Sequence, residues 1–142
     1  MGTRRRGREL ALQALYQMEL TGDDASGSMA ELWRHFAEPA AAQAFAADLV
    51  HGVLEHRPQI DALITASSEH WRLGRLSQID RNVLRVGTYE LLCRRDVPTS
   101  VVIDEAIEIA RRFGSADSPV FVNGVLDQVA STLGVKEGRG AP

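Results

Sequence analysis

A chain of 142 residues with 44% hydrophobic and 25% charged residues is long enough to bury one core and too apolar for wholesale disorder. Its net charge of −3 excludes a generally basic nucleic-acid binder, and no apolar run approaches the roughly 20 residues that span a bilayer. The charge is uneven, however: Arg4, Arg5, Arg6 and Arg8 place +4 on the first eight residues and leave −7 on the rest, so attraction to a polyanion is confined to one place.

Helical periodicity runs through almost the whole chain, with no convincing strand alternation. Thr3 is placed to cap a first helix whose apolar stripe is Leu10, Ala11, Ala14, Leu15 and Met18. The polar, glycine-rich stretch Gly22–Ser28 reads as a loop. A short helix around Glu31–Phe36 follows, then an alanine-rich helix from about Ala40 to Glu55. Pro58 suits the first turn of a helix carrying Ile60, Leu63 and Ile64.

In the second half, Ser77-Gln78-Ile79-Asp80 resembles a capping box with Asp in place of Glu. The helix it opens spreads Ile79, Val83, Leu84, Val86, Leu91 and Leu92 over more than one face, which predicts a central position. Pro98 ends that segment. Val102, Ile103, Ala106, Ala110 and Phe113 line one side of the next helix, opposite Asp104, Glu108, Arg111 and Arg112. Gly114 suits a left-handed residue closing it. Ser118-Pro119 reads as a cap followed by proline at the first helical position, opening a last helix that buries Phe121, Val125 and Val129 and stops near Gly134. The expectation is an all-α single bundle of six or seven helices over residues 1–134, with a mobile tail over 135–142.

No catalytic constellation emerges. There is no phosphate-cradling glycine loop, nucleophile elbow or Cys–His pair at informative spacing. His35, His51, His56 and His70 are scattered, and His51 and His56, five apart, fall on different sides of a helix. The acidic cluster Asp104, Glu105 and Glu108 reads as a solvated helix face paired with Arg111 and Arg112. The expectation is a protein that is not an enzyme and uses no cofactor or metal. The single Cys93 and the lack of an apolar leader point to the cytoplasm.

The arginine tip is the most informative polar feature. Cations at a helix start oppose the macrodipole, and the first-turn N–H groups seek acceptors; a phosphate satisfies both. A solvated, incidentally charged terminus explains the composition equally well. Arg81 and Arg85 share a face of the central helix, either as surface charges near Asp80 and Glu90 or as anion contacts. Phe121 fits a core position or, just after a cap, a base-stacking one. Tyr16, beside Gln13 and Gln17, fits a partner contact or the edge of the bundle.

Four ordered blocks make the chain more specific than this. Arg4–Tyr16 (RRRGRELALQALY), Ile79–Leu91 (IDRNVLRVGTYEL), Val97-Pro98 with Ile103–Ala110 and Phe113-Gly114, and Phe121–Asp127 (FVNGVLD) resemble the NusB family in order and spacing; Gly22 to about Arg75 matches mainly in length and helical character. The resemblance implies two packed helical subdomains and a role in transcription antitermination. It implies binding of the boxA element of nascent RNA, notably in bacterial ribosomal RNA operons, together with the ribosomal protein NusE and the antitermination complex of RNA polymerase. Carried over by position, the RNA contacts are Arg4, Arg5, Arg6, Arg8, Gln13, Arg81, Arg85, Asp117 and Phe121, and the NusE-facing residues are Tyr16, Leu20 and Asp80. The resemblance also leaves open a homodimer formed through the surface that would otherwise meet RNA. Two departures stand out: Asp104 replaces the Asn of many relatives, and Val120 replaces a lysine found in some, which removes one phosphate contact. Two other readings stay open: a NusB-like domain of a ribosomal RNA cytosine methyltransferase, and a purely protein-binding helical module.

Overall fold

The computed structural model describes residues 2–68 and 76–136. It contains seven α-helices and, among the described residues, no strand: α1 (Thr3–Thr21), α2 (Ala25–His35), α3 (Ala40–Glu55), α4 (Arg57–Ser67), α5 (Gln78–Cys93), α6 (Thr99–Phe113) and α7 (Ser118–Leu133). They fall into two compact units that part after Glu55. No helix among the described residues is long and apolar enough to cross a membrane.

In the first unit α1 packs on α3 and α2, and α2 touches α3. Leu10, Ala11, Ala14 and Leu15 are buried as the periodicity predicts, joined by Gly7, Arg8 and Leu12. Thr3 does not cap α1: the helix already includes it, and Gly2 at the cap position makes no side-chain bond. The predicted loop over 22–28 shrinks to three residues, because Asp24 Oδ1 accepts the Gly27 N–H at 2.8 Å and opens α2 six residues early. Glycine and serine propensity loses there to the cap and to burial of Ala25, Met29 and Leu32. Where α1 meets α3 the contact is backbone-close. A Cβ added at Gly7 would lie 2.8 Å from Phe45 Cδ2 and 3.2 Å from the Ala42 carbonyl oxygen.

In the second unit α5 packs against α4, α6 and α7. Every residue from Asn82 to Leu91 is buried, as expected of a central helix. Ser77 Oγ caps α5 by accepting the Asp80 N–H at 3.1 Å. Pro58 lies in the first turn of α4, and Glu108 pairs with Arg111 on α6 at 2.8 Å. Three readings of the α6–α7 segment are corrected. Phe113 is 50% exposed under the Arg112 guanidinium, and Ile109 takes the core position instead. Gly114 is extended rather than left-handed. Asp117, not Ser118, stands at the cap position of α7 and makes no side-chain cap bond, with Ser118 already helical.

Phe121, expected in the core, is half-buried, while Val122, Val125, Leu126 and Val129 fill it. Gly134 closes α7 in the left-handed conformation, and Val135 beyond it is buried, its carbonyl accepting the Thr99 hydroxyl. His70 and residues 137–142 of the expected tail lie outside the described residues.

The two glycine environments give a direct check on helix packing. Gly7→Ala is expected to lower stability by about 1–3 kcal/mol through overpacking against Phe45. Gly124 sits inside α7 with nothing within 4 Å of an added Cβ, so Gly124→Ala is expected to raise stability by about 1 kcal/mol. Urea denaturation of both variants measures these opposite signs.

Candidate nucleic-acid interface

The predicted site residues divide between the units. Arg4, Arg5, Arg6, Arg8, Gln13, Tyr16 and Leu20 all lie on α1 in the first; Asp80, Arg81, Arg85, Asp117 and Phe121 lie in the second.

On α1 the four arginines are not equivalent. The first turn holds no acidic residue and no side-chain cap, so its N–H groups and positive dipole end are not answered by a local carboxylate. Arg4 is exposed and Arg5 half-buried. The guanidinium groups of Arg4 and Arg8 lie 5.1 and 5.3 Å from the centre of the Phe45 ring. Arg8 is itself buried, so its role includes packing on that ring as well as charge. Arg6 points elsewhere: its Nε and NH2 donate to Glu38 Oε2 at 3.0 and 2.6 Å, and NH1 donates to Glu9 Oε1 at 3.2 Å. The Arg6 hydrogen bond, reinforced by its charge, holds the Glu38 carboxyl below its ordinary value. Gln13 is exposed, as are Tyr16 (42%) and Leu20 (65%) at i,i+4 spacing.

In the second unit, Leu76, Ser77, Asp80, Ser115, Asp117, Ser118, Val120 and Phe121 line an open cavity of about 530 Å³. Its walls are the starts of α5 and α7, so a ligand there meets two positive helix ends, two carboxylates and an aromatic face. Asp80 Oδ1 is shielded from solvent and accepts no hydrogen bond among the described residues. Asp80, implied as partner-facing, therefore shares a cavity with Asp117 and Phe121. Asp117 is exposed, and Val120, where some relatives carry lysine, is 79% exposed.

Arg81 and Arg85 have separate structural duties. Arg81 NH1 donates to the Leu76 carbonyl at 3.0 Å, fixing one wall of the cavity. Arg85 is buried and forks onto Asp61, with Nε to Oδ1 at 2.9 Å and NH2 to Oδ2 at 3.1 Å, tying α5 to α4. Asp61 also receives Arg57 Nε at 3.3 Å. Sequence reasoning missed Glu38, Phe45 and Asp61. Each meets its arginine across a long sequence separation, where no helical period carries a signal.

Among the described residues, no group of three or more His, Cys, Asp or Glu side chains is placed to hold a metal ion.

The NusB family model matches residues 5–131. The chain belongs to the NusB family. The transcription antitermination protein NusB of Geobacter sulfurreducens is 52% identical over 135 residues, covering 94% of this chain and 97% of that one. Among solved structures, T. maritima NusB superposes with a TM-score of 0.83 at 43% identity, covering 90% of each chain. A structure of the antitermination factors NusB and NusE in complex with dsRNA matches at a TM-score of 0.81 and 25% identity, covering 93% of this chain and 98% of that one. The described helices of this NusB-family chain thus carry the α1 arginines and the cavity on the family's own fold.

Two predictions follow from the ion pairs. Arg85→Ala leaves Asp61 with only its exposed-side partner and is expected to cost about 3 kcal/mol in urea denaturation, the lower end for a broken buried pair because a quarter of the Asp61 side chain is exposed. The Arg6–Glu38 pair stabilises the fold fully above the ordinary glutamate value of 4.5 and loses that contribution as pH falls through the lowered folded value. The stability difference between the parent and Glu38→Gln is therefore expected to shrink on acidification below pH 4.5, read from melts across pH.

Proposed function

We propose that this chain is a bacterial, cytoplasmic transcription antitermination factor that binds the boxA element of nascent RNA together with NusE. Agreement over 94% of this chain and 97% of a relative named as a transcription antitermination protein carries the reading. The likeness to NusB in a complex with NusE and dsRNA supports the choice of ligand and partner. Its role is to help a modified RNA polymerase complex through ribosomal RNA operons without chemistry of its own.

The RNA-contacting set divides by accessibility. Arg4 and Arg5 offer charge at an uncapped helix start, where phosphate oxygens meet both guanidinium and backbone N–H groups. Gln13, exposed two turns further along α1 on the side of Arg6, adds one hydrogen-bonding side chain. Asp117 and Phe121 offer a carboxylate acceptor and a ring at the cavity mouth, suited to the amino edge and the face of an unstacked base. Arg8, Arg81 and Arg85 hold these groups in place through Phe45, Leu76 and Asp61. Tyr16 and Leu20 form an exposed apolar pair on α1 that suits a protein partner, here assigned to NusE.

Fluorescence anisotropy with labelled boxA RNA and a scrambled control, with and without NusE and across a salt series, tests this. Selective binding that tightens with NusE is expected. Arg4→Ala with Arg5→Ala is expected to lower the salt slope by about 1.4, at about 0.7 per single-strand phosphate contact, without unfolding the chain. A double variant that binds like the parent at every salt concentration overturns the assignment. Equal, weak binding to both RNAs, indifferent to NusE, favours the protein-binding module.

A further inference from the structure

The arginine tip contains its own counter-ion. Glu38 lies in the connection between α2 and α3, 32 residues from Arg6, and takes two of that guanidinium's donors at 3.0 and 2.6 Å. Glu9, one turn along α1, takes a third at 3.2 Å. Arg6 thus faces two carboxylates within the chain's most basic segment.

Both glutamate side chains are largely covered, at 13% and 12% exposure, whereas Arg6 keeps 39%. The guanidinium is thus within reach of solvent while its charge is already answered. A carboxylate seated on the guanidinium fork uses the donors and the planar geometry that a phosphate would use. An incoming RNA strand must displace Glu38 or forgo Arg6, and it meets the repulsion of the second carboxylate in either case.

We propose that Glu38 is an internal competitor for phosphate at Arg6 that holds down sequence-independent RNA affinity at the start of α1. The proposal rests on the reading of that helix start as an RNA contact. Removing the Glu38 charge releases one further phosphate contact. The salt slope then steepens by about 0.7, which corresponds to about 5-fold tighter binding at 0.1 M salt. The gain belongs to the electrostatic part of binding, so it appears with an RNA of any sequence.

The experiment measures scrambled single-stranded RNA binding across a salt series for the parent, Glu38→Gln, Arg6→Gln and the double variant, with a thermal melt of each. Glutamine keeps an acceptor for the guanidinium, so the α2–α3 connection retains its anchor. Expected is a gain of about 5-fold and a steeper slope in Glu38→Gln, both absent when Arg6 is also replaced. Unchanged affinity and slope in a folded Glu38→Gln overturn the proposal, as does a gain that persists without Arg6. If Glu38→Gln does not fold, Glu9→Gln decides: a smaller gain of the same sign supports competition, and no gain overturns it. A parent and variants that bind neither scrambled nor boxA RNA overturn the RNA reading and this proposal together. A parent that selects boxA while Glu38→Gln gains nothing overturns the proposal alone.

Discussion

The Phe45 ring lies so close to the backbone of Gly7 that no side chain fits between them, and the guanidinium groups of Arg4 and Arg8 lie over the same ring. This contact sets how α1 meets α3, and α1 carries all four arginines of the first unit's basic tip. Four arginines at a helix start repel one another and oppose the helix dipole. The ring offers its negative face to two of them and Glu38 takes a third, so a charge pattern unfavourable in isolation is built into a packed interface. Without glycine at position 7 the ring would have to withdraw, and the guanidinium groups would lose the surface that orders them.

The second unit solves a different problem. Its central helix is buried over ten consecutive residues, including a charged arginine. Burying a guanidinium is costly unless its donors are met, and the fork onto Asp61 meets them while joining α5 to α4. With that helix fixed, its start and the start of α7 form the walls of the cavity. Arg81 closes the arrangement by donating to the chain just before the α5 cap. The result is a rim bearing Asp80, Asp117 and Phe121.

Much of the helical plan was legible because helices write their signals locally. Pro58, Ser77 and Pro119 mark starts through missing or competing hydrogen bonds, the alanine-rich run gives α3 its true bounds, and the mixed apolar faces of Ile79–Leu92 announce a central helix. The α2 start was lost because glycine and serine argue for loop on propensity, whereas the Asp24 cap and buried Met29 argue for helix and win. Phe113 has the right spacing for the core yet sits in the last turn, where the helix leaves its neighbours. The site was legible only as residue types. Arg6 and Arg85 look like surface cations until Glu38 and Asp61 arrive from 32 and 24 positions away, and pairing at that range leaves no period to read.

Gly114 has a wider reach than its place in a turn suggests. Its backbone is extended, a shape open to any residue, but a Cβ there would lie 2.5 Å from Ser118 Oγ and 2.8 Å from the Ala110 carbonyl oxygen. Ser118 is fully buried and its hydroxyl accepts the Ser115 N–H, so it has little room to yield. A side chain at 114 would lever the start of α7 outward, carrying Asp117 and Phe121 with it. The cavity can therefore be reshaped by a change at a residue that neither lines it nor bears a functional group, and tolerance at this corner is governed by steric clearance rather than by torsional preference.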